Sequence, residues 1–263
     1  MSIQKRIAVF LDIDGTLITG DPIPFKDDVE AMEEAALKGN YIFLNTGRSF
    51  SNIPLALLEL PFIKGIAAGG GAHVLFANNG SPRYQTVYHK WLPVEQLSKI
   101  CAWCGNQRLC CVLEGEKNCY VFNQSSLIFK VESQIVVNSF NDFIRKSSGD
   151  FITKLTFIGF ALKNEYPLLE SICTVNYFPH YCEGIIKGEN KAKAMELILQ
   201  NLGLRREDSI AIGDSTNDLD MIRFAGMGIA MGNACAELKA AAGAVTGDCG
   251  KGGVAGALRK FVL

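Results

Sequence analysis

The chain has 263 residues, of which 48% are hydrophobic and 20% charged, with a formal net charge of -1. That length suits one large domain or two smaller ones with ample core. The charge balance gives no support for a dedicated nucleic-acid binder, and no stretch holds the roughly 18 uninterrupted apolar residues of a membrane-spanning helix.

The first element is an apolar run, Ile7 to Leu11, that stops at Asp12-Ile13-Asp14-Gly15-Thr16. Such a run reads as a buried strand, and its carboxyl end is where open α/β sheets bind ligands. Alternation along a strand would turn Asp12 and Asp14 to one face. A hairpin turn at Asp14-Gly15 is the competing reading. The run is too short for a signal peptide, so a soluble, cytoplasmic protein is expected.

A helix is expected over Lys26 to Lys38, closed by Gly39-Asn40, then a strand over Tyr41 to Leu44 ending in Asn45-Thr46-Gly47-Arg48. A helical pattern interrupted by Pro54 follows. A third strand, Ile66 to Ala68, ends in Gly69-Gly70-Gly71. Strand-helix-strand-helix-strand is the signature of a parallel sheet covered on both faces.

The grammar then changes. Ala72 to Ala77 and Gln85 to Lys90 suggest a hairpin around Asn79-Gly80. A helix is expected over Pro93 to Gln107, strands over Leu109 to Leu113 and Cys119 to Asn123, and mostly helix over Ser126 to Lys146. A strand over Lys154 to Ala161, a short helix over Glu165 to Cys173, and strands over Thr174 to Phe178 and Glu183 to Ile186 complete an antiparallel α+β unit. Nine cysteines include Cys101 and Cys104, with Cys110, Cys111 and Cys119 downstream. Four of these could ligate zinc, but their helical and strand-like settings favour small buried hydrophobes. Tyr177, Phe178, His180 and Tyr181 are either packing aromatics or a platform for a ring-shaped ligand.

From Asn190 the first grammar returns: a helix over Ala192 to Leu202, a strand over Ser209 to Ile212 ending in Gly213-Asp214-Ser215-Thr216-Asn217-Asp218, and further helix and strand to the C-terminus. The expected architecture is α/β: a Rossmann-like parallel-sheet core over 1–79 and 187–263, with helices on both faces, and an inserted α+β cap over 80–186.

Parallel strands place their carboxyl ends on one edge. There Asp12 and Asp14 meet Thr46 and Asp214 with Asp218, while Lys191 opens a helix whose dipole disfavours a cation. Thr46, and Asp214 or Asn217, also fit as helix caps, and Lys191 as a solvated lysine with Lys187 and Lys193 as neighbours. Together they suit a hard cation and an anion in one site, and oxygen ligands favour Mg2+.

In this order, Asp12-Ile-Asp-Gly-Thr, Thr46-Gly-Arg, Lys191 and Gly213-Asp-Ser-Thr-Asn-Asp resemble the four motifs of the haloacid-dehalogenase-like phosphohydrolases. Met231-Gly-Asn-Ala and the large insert resemble the Cof-type branch. Two departures are Gly70-Gly71-Ala72, where the family often has Asn-Gly-Ala, and Asn45, where a small residue is common.

The resemblance implies a magnesium-dependent phosphatase acting on a small phosphorylated metabolite. Asp12 would be the nucleophile that forms an aspartyl-phosphate, and Asp14 the general acid and base with a raised pKa. Thr46, Gly47, Lys191 and Asn217 would hold the phosphoryl oxygens. The metal would sit on the Asp12 carboxylate, the Asp14 main-chain carbonyl and Asp214, with Asp218 holding its water ligands. The insert would act as a lid that selects the substrate. Sugar phosphates, nucleotides, pyridoxal phosphate and flavin mononucleotide all remain open, and no nucleic-acid or membrane partner is expected. A phosphomutase of similar fold is the alternative, with a non-enzymatic phospho-receiver behind it.

Overall fold

The computed structural model describes residues 6–78, 83–123, 134–158, 167–178 and 180–263. In chain order the elements begin β1 (Ala8–Leu11), α1 (Lys26–Leu37), β2 (Tyr41–Asn45), α2 (Leu55–Leu58), β3 (Ile63–Ala68), β4 (His73–Ala77) and β5 (Tyr84–His89). Next come α3 (Val94–Gln107), β6 (Cys110–Gly115), β7 (Cys119–Phe122), β8 (Gln134–Val137), α4 (Phe140–Ser147), β9 (Ile152–Ile158), α5 (Pro167–Ile172), β10 (Cys173–Tyr177) and β11 (Tyr181–Ile186). The chain ends with α6 (Lys191–Leu202), β12 (Ser209–Gly213), α7 (Leu219–Phe224), β13 (Met227–Ala230), α8 (Ala236–Ala241), β14 (Ala244–Val245) and α9 (Gly253–Phe261).

The chain divides into two compact units. The first contains an eight-stranded sheet of order β14-β13-β12-β1-β2-β3-β4-β5. β14 through β3 run parallel, and β4 turns antiparallel to β3. Every residue of β1 is buried, as expected for a central strand covered on both faces. Phe10 and Phe43 stack across β1 and β2 with ring centroids 5.2 Å apart. α1 lies against α9, and the buried carboxylate of Asp28 accepts the Ala255 N–H at 2.7 Å, satisfying one donor at the start of α9.

The second unit comprises Arg48–Ile53 and His89–Glu189, around a six-stranded sheet of order β10-β11-β9-β6-β7-β8. The expected insert, 80–186, differs from it at two points. β4 and β5 extend the first unit's sheet as far as Tyr88. The short segment after Gly47 joins the second unit because the Ser49 hydroxyl donates to the buried Glu114 at 3.1 Å and the Ser51 hydroxyl to the Gly115 carbonyl at 2.8 Å. Thr156 and Lys154 also address Glu114, and Lys154 pairs with Glu183 at 2.5 Å.

The helix expected over Ser126 to Lys146 is corrected. β8 occupies 134–137 and pairs parallel with β7, and α4 begins only at Phe140. Ile135, Val136 and Val137 are β-branched, and the Ser139 hydroxyl caps α4 by accepting the Asp142 N–H at 3.1 Å. The part of that reading over 126–133 lies outside the described residues, as does the Asn79-Gly80 turn. Where the sequence suggested a helix after Arg48, there is only a short 3-10 turn and the four-residue α2. Cys101, Cys104, Cys110, Cys111 and Cys119 are buried free thiols, and burial pushes Cys101 and Cys119 up to about 12. Among the described residues no cysteine belongs to a group of three ligands close enough to share a metal. Phe178 and Tyr181 stack on each other at 4.5 Å. Among the described residues no helix is long and apolar enough to cross a membrane.

Candidate active site

Sheet register builds the site. Leu11 lies opposite Ile212 on one side and Leu44 on the other. The residues that follow, Asp12, Gly213 and Asn45, therefore stand at one level at the carboxyl ends of the strands, with adjacent strands about 4.8 Å apart. The Asp12 N–H extends the ladder by donating to the Ile212 carbonyl at 3.0 Å. The apolar runs that form the strands thus fix where their polar ends meet.

Asp12 is 4% exposed. Its Oδ1 accepts from Lys191 Nζ at 2.6 Å, and the same ammonium donates to Asp218 Oδ1 at 2.5 Å and Asn217 Oδ1 at 3.4 Å. Asp218 Oδ2 accepts the N–H groups of Asp214 at 2.9 Å and Ser215 at 3.0 Å. Asp218 therefore both neutralises Lys191 and fixes the loop that carries Asp214. Thr16 Oγ1 donates to Asp214 Oδ1 at 3.5 Å.

Three carboxylates, Asp12, Asp214 and Asp218, bring one oxygen each within 4.8 Å of one another. Lys191 supplies the single ammonium among them, so with all four ionised the cluster carries a surplus of negative charge. Burial raises the Asp12 carboxyl well above the usual range, against the pull of Lys191. Burial and the neighbouring Asp218 push Asp214 up to about 7. Burial penalises the Lys191 ammonium, yet Asp12 and Asp218 outweigh that penalty and hold its proton more tightly than in water. A hard divalent cation on oxygen ligands would answer this surplus. Gly15 lets the Asp214 carboxylate approach the turn: at φ +79° it bends the chain where a Cβ would overlap that carboxylate.

Asp14 departs from the alternation rule. β1 ends at Leu11, and residues 13–18 fold into a tight turn in which the Thr16, Leu17 and Ile18 N–H groups all donate to the Ile13 carbonyl. Asp14 is consequently exposed, while Asp12 is buried, and its side chain lies outside the three-carboxylate group. It remains close enough to raise the Asp214 pKa. Thr46 is buried at the end of β2; its N–H donates to the Ala67 carbonyl at 2.8 Å, and its own carbonyl accepts from Gly70 at 3.0 Å. Gly47 follows it, half-buried. Sequence reasoning missed Thr16, which touches Asp214, and Asn45, which donates to the Lys191 carbonyl at 3.1 Å. For Thr16 the signal was at hand in the Asp-Gly-Thr run; for Asn45 it lay only in the departure from the family pattern.

A family model described as haloacid dehalogenase-like hydrolase matches residues 9–258. The chain belongs to this family. It is a Cof-type phosphoric monoester hydrolase. The 5-amino-6-(5-phospho-D-ribitylamino)uracil phosphatase YitU of Bacillus subtilis is 25% identical, with 98% of each chain covered. YcsE of the same organism, of the same described activity, is 25% identical over the whole of both chains. Among solved structures, the HAD subclass IIB sugar phosphatase BT4131 is 28% identical with a TM-score of 0.81, covering 97% of this chain and 98% of that one.

Proposed function

We propose that the enzyme hydrolyses a small phosphorylated metabolite, of the sugar-phosphate or phosphoribityl kind, with Mg2+ and through an aspartyl-phosphate on Asp12. The observation that carries this reading is the meeting of Asp12, Asp214 and Asp218 around Lys191 at the carboxyl edge of the sheet. The sugar phosphatase BT4131 and the phosphoribityl phosphatases YitU and YcsE supply the substrate class.

The metal would be held by the carboxylates of Asp12 and Asp214 and the Asp14 main-chain carbonyl, with Asp218 reaching it through water. When bound it screens the repulsion between a carboxylate and a phosphate dianion. Asp12 attacks phosphorus, and the bond to the leaving oxygen breaks. The exposed Asp14 side chain gives its proton to that oxygen as the alcohol departs. It then takes a proton from the water that attacks the phosphoryl group and frees Asp12 and inorganic phosphate. Thr46, the Gly47 amide, Lys191 and Asn217 hold the phosphoryl oxygens where charge develops.

Asp12→Asn keeps the shape and removes the nucleophile. Its expected effect is loss of magnesium-dependent phosphate release from p-nitrophenyl phosphate, with folding retained by circular dichroism. Activity near the wild-type rate in that variant sinks the reading. A panel of phosphorylated sugars, ribityl compounds and nucleotides then identifies the ester by kcat/KM.

A further inference from the structure

Asn45 is the last residue of β2, directly before Thr46 and Gly47, and is 0% exposed. A buried amide has several hydrogen-bonding positions to satisfy. Asn45 Nδ2 donates to the main-chain carbonyl of Lys191 at 3.1 Å and lies 3.6 Å from Met221 Sδ. Its Oδ1 has no hydrogen-bond partner among the described residues. Turning the amide over would set its oxygen against the Lys191 carbonyl, so the orientation is fixed by that contact. An orphaned buried acceptor costs stability that an apolar side chain of the same shape would not. The orphaned acceptor therefore offsets part of what the Nδ2 bond to Lys191 contributes to stability.

What the side chain does hold is the first residue of α6. Asn190 caps that helix by accepting the Lys193 N–H at 2.8 Å, which sets its direction. The Asn45 contact pins the Lys191 main chain to the strand end that carries Thr46 and Gly47. From that anchor the Lys191 side chain reaches Asp12 and Asp218.

We propose that Asn45 is a positioning residue that fixes the Thr46–Gly47 turn relative to Lys191, so that both address one phosphoryl group. This rests on the function proposed above. Because the groups it aligns grip the phosphoryl end, its loss weakens every ester alike and leaves preference among leaving groups unchanged.

Asn45→Leu tests it, since leucine branches at Cγ as asparagine does and lacks both the donor and the orphaned acceptor. The expected variant stays folded by circular dichroism. Its inhibition constant for orthovanadate rises about tenfold or more, and kcat/KM for two unrelated esters falls by one common factor of about ten. Asn45→Ala carries the same expectation for kinetics, should leucine not pack. In a Lys191→Ala background either substitution adds no further loss of orthovanadate binding, because the residue acts through Lys191. Orthovanadate inhibition and kcat/KM within about twofold of wild type overturn the proposal, whatever happens to stability. Unequal losses for the two esters also overturn it. Failure of the wild type to release phosphate from any ester is a separate result: it removes the function proposed for the site, and the positioning role with it.

Discussion

Lys191 is a charge the interior would reject alone. It is 2% exposed and survives there because Asp12 and Asp218 flank it at 2.6 and 2.5 Å. Removing one member of such a buried cluster leaves the others uncompensated. Lys191→Met is therefore expected to lower the stability of the metal-free protein by about 3 kcal/mol, read by urea unfolding. It should also lower kcat/KM for p-nitrophenyl phosphate by about 10²–10³, because an ammonium aimed at the phosphoryl oxygens is lost. Wild-type kinetics in that variant would show that Lys191 only balances charge. Asp12, Lys191, Asp214 and Asp218 were legible in the sequence because each follows or opens an apolar segment where a polar group is costly. Asp14 was read with the wrong geometry. The alternation rule assumes that the strand continues, and β1 stops at Leu11. Asn45 was legible only as a departure from the family pattern, since its partner lies 146 positions further along the chain.

Elements were readable where one periodicity held throughout and misread where two short elements adjoined. β8 and α4 occupy the described part of what looked like one helix, and the capping serine between them marks the true break. In the second unit, one acid organises the turn from β6 to β7. Asp150 is 8% exposed and accepts the N–H groups of Glu116, Lys117 and Asn118 at 3.0–3.1 Å, as well as the Tyr120 hydroxyl at 3.0 Å. Gly115 must lack a side chain there, because a Cβ would overlap the Asp150 carboxylate. Nothing local in the sequence showed this, since the acid lies more than thirty residues beyond the turn it holds. Charge-assisted bonds to backbone donors are among the stronger ones, and their loss leaves part-buried N–H groups without the carboxylate that fixes the turn. Asp150→Ala is expected to cost about 3 kcal/mol in urea unfolding. A cost below about 0.5 kcal/mol would mean that water replaces the carboxylate fully.

At the scale of the molecule, the cluster unites residues from both ends of the chain: Asp12 just after β1, and Lys191, Asp214 and Asp218 about 180 to 205 positions later. The parallel sheet makes this legible, because β1 and β12 are neighbours and end at one edge. The same convergence makes the metal-free protein sensitive to pH. Asp214 is pushed up to about 7 by burial and Asp218, and Asp12 is raised as well. A carboxyl whose folded pKa exceeds its unfolded value near 3.8 binds its proton more tightly when folded. Its stabilising contribution is thus full below about pH 4 and is lost as pH rises through about 7. With allowance for solvent screening, the Asp214 share is about 2 kcal/mol. The metal-free enzyme should therefore lose stability between about pH 4 and pH 7 on account of these groups. A divalent ion relieves the same repulsion only when the carboxylates are ionised. Saturating Mg2+ is therefore expected to raise the unfolding midpoint more at about pH 8 than at about pH 5.5. Asp214→Asn removes that carboxylate. In metal-free buffer at about pH 8 it should melt about 5 °C above wild type and respond less to Mg2+. Calorimetric scans of both proteins at the two pH values, with Mg2+ and with chelator, decide the matter. Equal midpoint shifts at both pH values would mean that the ion does not compete with protons for this cluster.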